Sequence, residues 1–121
     1  STFGSSVQHL AFATDDIFVT SDAMRGNGLE TLEISGNYYD DLVARFGLDE
    51  VLVERLKARH ILYDRDDSGE FFQFYSRSLD DGFFFEIVQR SGGYGGYGAA
   101  NAPFRIAAQR RYLPPRGMPR S

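Results

Sequence analysis

Apolar and polar residues alternate with a two-residue period along much of this chain, and that period is typical of β-strands. It predicts strands over residues 7–13, 29–34, 70–77 and 82–90, and a further strand that starts at His60. Successive side chains of a strand point to opposite faces of the sheet. In the last strand Glu86 therefore shares a face with Phe84 and Val88, whereas Phe83, Phe85 and Ile87 take the other face.

Glu86 is flanked on both sides of its strand by apolar residues. Because burying an unpaired charge costs several kcal/mol, we expect this carboxyl group to be protonated, paired with a cation or bound to a metal. Pairing with a neighbouring arginine, or an edge position that reaches water, is the simpler interpretation. His9 lies in the middle of the first strand, where a lone histidine is more often a core residue than a ligand.

A second pattern, with apolar residues three and four positions apart, predicts helices. The first helix begins at a cap formed by Thr14 or Asp15 and ends at Gly26-Asn27-Gly28. Residues 38–59 form two helical segments that Gly47 separates, with Asp49 as the N-cap of the second. The predicted buried positions are Ile17, Val19, Ala23 and Met24, then Tyr39, Leu42, Val43 and Phe46, then Val51, Leu52, Arg55 and Leu56.

The order of these elements is strand, helix, strand, irregular helices and then three consecutive strands, with a last helical segment at 99–111 after Pro103. A β-α-β start followed by antiparallel strands predicts an α+β fold with a mixed, curled sheet. Its helices pack on the outer face, and the polar residues lie on the concave face. We expect residues 1–6 to be a flexible lead-in, 7–111 the folded module and 112–121 a disordered tail.

Composition narrows the chemistry. The 121 residues contain no cysteine, so disulfides, thiolate metal sites and cysteine nucleophiles are excluded, and any metal ligand must be His, Asp or Glu. The net charge of −4 argues against a nucleic-acid partner. We see neither a membrane-spanning apolar run nor a signal peptide, so a cytoplasmic protein is the expectation.

Two further motifs predict little chemistry. The acidic turn at residues 64–69 lacks the ligand spacing of a calcium loop, so we interpret it as a hairpin connection. The glycine-rich run at 91–98 follows a strand but lacks the lysine and hydroxyl residue of a phosphate-binding loop. A lid or linker is the better interpretation of that run.

Several segments together resemble a known family. These are Val7-Gln8-His9-Leu10-Ala11, Asn37-Tyr38-Tyr39-Asp40, Ile61-Leu62-Tyr63-Asp64-Arg65-Asp66, Phe71-Phe72-Gln73-Phe74-Tyr75 and Phe84-Phe85-Glu86-Ile87-Val88-Gln89-Arg90. In this order they are similar to the C-terminal half of 4-hydroxyphenylpyruvate dioxygenases. They look especially like a branch in which this module is joined to a sugar-isomerase-like, 3-dehydroshikimate dehydratase domain.

The resemblance implies a vicinal-oxygen-chelate fold of β-α-β-β-β modules, as in glyoxalases and dioxygenases. It also implies Fe(II), or another divalent metal, held by two His and one Glu, of which His9 and Glu86 match the second His and the Glu. Gln73 and Gln8 match glutamines of the substrate pocket, and Tyr75 stands at one Phe of an aromatic clamp. Asn101 matches the Asn of the family's Gly-Phe-Gly-x-Gly-Asn-Phe segment.

Two departures from the family leave alternatives open. Ala102 replaces the final Phe of the clamp segment, and no residue before His9 supplies the first His ligand. The chain is then a fragment completed by a second chelate-fold module of a parent protein, one of two copies that complete each other, or a module without catalysis. The implied function is Fe(II)-dependent oxidation of a small 2-oxo acid, as in aromatic amino acid catabolism. The alternative is a regulatory module of a dehydratase-type bifunctional protein. A lone module would expose Phe71, Tyr75 and Phe84, which predicts self-association.

Overall fold

The computed structural model describes residues 9–78 and 82–111. The predicted lead-in (1–6), the predicted tail (112–121) and Gln8 lie outside the described residues. Within them, the strands are β1 (His9–Ala13), β2 (Leu62–Arg65), β3 (Gly69–Tyr75) and β4 (Phe84–Gly92). The helices are α1 (Ile17–Gly26), α2 (Gly36–Phe46), α3 (Glu50–Ala58) and α4 (Ala102–Arg110), and a 3-10 turn (Ala99–Asn101) precedes α4.

The four strands form one mixed sheet in the order β1-β4-β3-β2. β3 pairs antiparallel with both β2 and β4, the strands that precede and follow it in the chain. β1 returns to the sheet as a parallel neighbour of β4, with the helices between them in the chain. The predicted α+β class and mixed sheet are confirmed.

The helix caps largely follow the sequence. Asp49 accepts hydrogen bonds from the backbone N–H groups of α3, and Gly47 ends α2 with a left-handed φ of 61°. The cap predicted for α1 was wrong by one or two residues, because Asp16 provides it. The backbone N–H of Thr14 still bonds to Val88 of β4, so the chain is extended at that point and turns into a helix only later.

Residues 29–34 do not form the predicted strand. They make a single bridge, between Thr31 and Ser76, although Leu32 also donates its backbone N–H to the Tyr75 carbonyl at 2.8 Å. β4 occupies one edge of β3 up to Tyr75 and β2 occupies the other edge up to Gln73, so this segment can pair with β3 only beyond Gln73. Thr31, Leu32 and Ile34 are buried whereas Glu30 and Glu33 are exposed, so burial does not follow the two-residue alternation of a strand.

The buried stripes of the helices are shifted from the predicted ones. Val19, Val43 and Val51 are 64%, 43% and 68% exposed, although each was predicted to be buried. The residues buried in their place include Ser21, Tyr38 and Val53. Each lies two to five positions from the residue it replaces, so the buried face of each helix is rotated around the helix axis. No helix within the described ranges is long and apolar enough to cross a membrane.

Both faces of the sheet carry buried side chains of β3 and β4. Phe72, Phe74 and Ile87 point toward the helices and belong to the main core. The opposite face carries Phe71, Tyr75 and Phe84, which are at most 5% exposed. The prediction that these three would be exposed was wrong, because the segment after β4 covers them: Tyr94 stacks on Phe71 at 5.1 Å, and the Arg105 guanidinium lies over Tyr75 and Phe84.

His60 joins α3 to β2 in a conformation unusual for a residue other than glycine, with a φ of 55°. Its Nδ1 accepts the backbone N–H of Ile34 at 3.0 Å, so the ring proton lies on Nε2. Burial lowers the pKa of the His60 imidazole below its usual range, against the opposing charge of Glu33. The ring therefore folds in its neutral form and holds the 29–34 segment.

We expect His60→Asn to reduce the acid sensitivity of the fold. Below about pH 6.5 the unfolded histidine binds a proton that the folded one resists, so the free energy of unfolding falls as the pH drops from there toward the folded pKa. Asparagine tolerates the positive φ and keeps an acceptor for Ile34. Urea unfolding at pH 7.5 and 5.5 measures how far the free energy of unfolding falls between the two pH values. Because both proteins carry the same carboxylates, an equal fall in the two proteins would contradict the prediction.

Candidate metal centre and its hydrogen-bond network

His9 and Glu86 meet on the covered face of the sheet, at its β1 edge. In the parallel pairing His9 lies opposite Phe84, and Ala11 lies opposite Glu86, so all four side chains share one face. The His9 ring stacks on Phe84 with a centroid distance of 5.1 Å. In this stacked position the imidazole Nε2 of His9 lies 3.3 Å from Glu86 Oε1.

The two groups fit a divalent metal. Metal bonds of about 2.1 Å to nitrogen and oxygen that meet near a right angle separate the two ligand atoms by about 3 Å. The observed 3.3 Å is close to that value. The simpler interpretation, an arginine paired with Glu86, is not seen: within residues 9–78 and 82–111 its ion-pair partner is His9. No group of three His, Asp or Glu placed to hold a metal occurs in those ranges.

Gln73 fixes the other oxygen of the carboxylate. Its Nε2 donates to Glu86 Oε2 at 2.6 Å and to the Tyr75 hydroxyl at 2.8 Å. A carboxylate only accepts hydrogen bonds, so the amide must present its NH₂ group to Glu86 and its oxygen to the other side. Because Gln73 is only 1% exposed, this orientation has no solvent alternative.

The network continues away from the sheet through Asn101. The Nδ2 of Asn101 donates to Gln73 Oε1 at 2.8 Å, which leaves its Oδ1 to accept the Tyr38 hydroxyl at 2.8 Å. That hydroxyl in turn accepts the backbone N–H of Tyr63 at 2.8 Å. Asn101 stands at the N-cap position of α4 but makes no capping bond, because its side chain is used in this network.

The structure thus brings together five of the six predicted site residues: His9, Glu86, Gln73, Tyr75 and Asn101. Gln8 lies outside the described residues. Neither Tyr38 nor Arg105 was predicted to belong to the site. A signal for Tyr38 was present, since the Asn37-Tyr38-Tyr39-Asp40 segment was one of those that carried the resemblance. Its role depends on contacts 25 and 63 residues away in the chain, which no local pattern shows.

The pKa of the Tyr75 hydroxyl depends on burial and on the charges of Glu86 and Arg105. Burial raises the pKa of its hydroxyl above the usual range, and the Glu86 charge raises it further, whereas Arg105 opposes the rise. Burial likewise raises the pKa of Tyr38. Both phenols are therefore neutral and available for hydrogen bonding across the physiological pH range.

Gly98 allows the segment that follows β4 to approach the network of Gln73 and Asn101. Gly98 has a φ of +67°, and a Cβ there would meet Phe71 at 2.7 Å and collide with the Gln73 amide oxygen. Any other residue would combine backbone strain with this clash. The close approach sets Asn101 over Gln73, with the Gly98 carbonyl accepting the Asn101 N–H at 2.9 Å.

Comparisons with known proteins agree with this arrangement. The chain is 49% identical over 106 residues to the 3-dehydroshikimate dehydratase of Pseudomonas putida, an alignment that covers 87% of the chain and 17% of that relative. It is 39% identical over 104 residues to the 4-hydroxyphenylpyruvate dioxygenase of Caenorhabditis elegans, covering 81% and 26%. A solved xylose isomerase-like TIM barrel/4-hydroxyphenylpyruvate dioxygenase fusion protein matches with a TM-score of 0.82 and 47% identity, covering 86% and 17%.

Over most of its length the chain is therefore similar to one part of these dioxygenase-containing proteins. This confirms the resemblance and the fold that the sequence predicted. The chain spans only 17% of the length of the dehydratase and 26% of the length of the dioxygenase. No protein-family model matches it.

We expect Tyr38→Phe to destabilise the module by about 1–3 kcal/mol, because it leaves the buried Tyr63 N–H and the Asn101 oxygen without their partner. Urea unfolding at pH 7 measures the change in the free energy of unfolding. Tyr97→Phe is the matched control: its ring is 83% exposed, so the same loss of a hydroxyl should change stability by less than about 0.5 kcal/mol. Equal effects of the two substitutions would refute the network's contribution.

Proposed function

We propose that this module contributes His9 and Glu86 to an Fe(II) centre that oxidises a small 2-oxo acid. The observation that carries the proposal is the 3.3 Å approach of the imidazole Nε2 to a carboxylate oxygen. Imidazole and carboxylate are the ligand types that non-heme iron oxygenases use in a two-His, one-carboxylate set. The names of the dioxygenase and fusion-protein relatives support the same reaction class.

The surrounding residues match this role. Gln73 leaves Glu86 Oε1 free toward His9, because its own hydrogen bond is to Oε2. The second bond of Gln73, to the Tyr75 hydroxyl, fixes the Tyr75 ring beside the proposed ligands. When bound, Fe(II) supplies the Lewis acidity that holds a 2-oxo acid and the redox chemistry that uses dioxygen. The role of the module is to position the proposed metal ligands and the Tyr75 ring beside the substrate.

The third ligand comes from a second chelate-fold module, in a parent chain or in another copy. The β1 edge is the side from which it can reach His9. Among the described strands β1 has β4 as its one neighbour, and all five of its residues are exposed. Leu10 and Phe12, on the face opposite His9, are 52% and 48% exposed. An edge strand with free backbone groups and apolar side chains is suited to pairing with another module.

We expect the purified chain to bind Fe(II), Mn(II) or Co(II) in a manner that depends on both proposed ligands. Calorimetric titration at pH 7 should show binding that weakens at least about tenfold in His9→Ala and in Glu86→Gln. His60→Asn is the control, because His60 uses its Nδ1 for Ile34 and should leave binding unchanged.

A negative titration favours the alternative function. If metal binding is absent, or if it is lost equally in the His60 control, the centre is not formed by these residues. The chain would then be a regulatory or structural module of a dehydratase-type protein. The similarity to a 3-dehydroshikimate dehydratase is the observation that favours this second candidate.

We also expect the chain to self-associate through β1, because that edge and its apolar residues lack a cover within the described chain. Sedimentation velocity should show a concentration-dependent dimer that Leu10→Glu disrupts. Val51→Glu is the matched control, since Val51 is 68% exposed on α3, away from β1. A monomer at every concentration would exclude the second copy as partner and leave the module of a parent chain.

A further inference from the structure

Arg105 of α4 lies on the same side of the sheet as the proposed ligands. Its guanidinium carbon is 5.6 Å from the centroid of the Phe84 ring and 5.8 Å from that of Tyr75. Phe84 is the ring on which His9 stacks, and Tyr75 shares a Gln73 hydrogen bond with Glu86. By these contacts one side chain, Phe84, separates the cation from His9, and two, Tyr75 and Gln73, separate it from Glu86.

This cation has no anionic partner in the described chain. Arg105 is half-buried, and its Nη1 donates to the neutral amide of Gln109 at 3.0 Å. None of the ion pairs within residues 9–78 and 82–111 includes it. Because Gln109 turns its oxygen to Arg105, its Nε2 is buried without a partner in those ranges. The pair therefore presents N–H donors beside the site that no carboxylate of the described chain accepts.

The position of Arg105 changes what Tyr75 offers to a substrate. A guanidinium over an aromatic face makes a cation–π contact and occupies the surface on which a flat apolar ring would stack. Its charge is felt at the Tyr75 hydroxyl, where it opposes the effect of Glu86 on the phenol's pKa. The surface over Tyr75 and Phe84 is therefore cationic. A half-buried cation of this kind favours an anionic group over an uncharged ring.

We propose that Arg105 binds a second anionic group of the substrate, so that the module takes a 2-oxo acid with a distal carboxylate. This inference rests on the proposed function. The 2-oxo acid end lies at His9 and Glu86, and the distal carboxylate lies at the Arg105 guanidinium, where a planar fork of donors can bind both of its oxygens. The substrate class is then dicarboxylic 2-oxo acids.

The test compares two probes of equal length, 2-oxoglutarate and 2-oxopentanoate, which differ in the distal carboxylate alone. Each is titrated into the Zn(II)-loaded and the metal-free 121-residue chain, with the NMR signal of the Arg105 Nε–Hε group as the readout. We expect 2-oxoglutarate to bind at least about tenfold more tightly, since hydrogen bonds between charged groups are stronger than neutral ones. We also expect it to shift the Arg105 signal.

Three variants test whether the preference for 2-oxoglutarate over 2-oxopentanoate depends on Arg105. Arg105→Gln should abolish it, and Arg105→Lys should retain part of it through the charge. Arg110→Gln is the matched control, because it removes an exposed arginine from the same helix and should leave the preference intact. Equal affinities for the two probes, tighter binding of 4-hydroxyphenylpyruvate than of both, or a preference that survives Arg105→Gln would each overturn the proposal.

Failure of the metal centre is distinguishable from failure of this inference. If the chain binds metal but shows no preference for 2-oxoglutarate, the proposed centre stands and the role of Arg105 is refuted. If the chain binds no metal, the metal-free titration decides. An Arg105-dependent preference there supports the anion site, and its absence there overturns it.

Discussion

The arrangement of the site depends on one buried amide. Gln73 is almost wholly removed from water, and it lies beside the Glu86 carboxylate, which can only accept hydrogen bonds. A buried amide with an unmet donor or acceptor would cost about 1–3 kcal/mol for each group. The carboxylate therefore fixes which end of Gln73 faces it, and every later partner is fixed in turn. The direction of each bond out to Tyr38 follows from this single contact.

That constraint joins parts of the chain that are far apart in sequence. Strand β3 supplies the amide, β4 the carboxylate, the 3-10 turn supplies Asn101 and α2 supplies Tyr38. The Tyr38 hydroxyl ends the network on the backbone of β2, at the free edge of the sheet. One chain of bonds thus pairs the buried N–H group of an edge strand and also orients the carboxylate on β4. Stability and site geometry share the same hydrogen bonds.

The sequence predicted what depends on local pattern. The alternation of residues 82–90 places Glu86 on one face of β4, and the Gly47 and Asp49 signals mark the break between α2 and α3. It failed where distant segments decide the outcome. Residues 29–34 alternate as a strand does, but β2 and β4 already occupy both edges of β3 up to Gln73. Phe71, Tyr75 and Phe84 were predicted to be exposed, but Tyr94 covers the first and Arg105 of α4 lies over the other two, contacts that no local pattern shows. The predicted ligand pair came from the resemblance together with the strand faces.

The two proposed ligands differ in how firmly the module holds them, and this difference bears on how the centre is completed. Glu86 is held by Gln73, and its side chain is 12% exposed, whereas the His9 side chain is 48% exposed on the edge strand. In the proposed centre the carboxylate is therefore enclosed on the β3 side, whereas the imidazole is open on the β1 side. A proposed ligand from another module would approach from the β1 side, where His9 is exposed. The edge strand that has one neighbour among the described strands thus also carries the more exposed of the two proposed ligands.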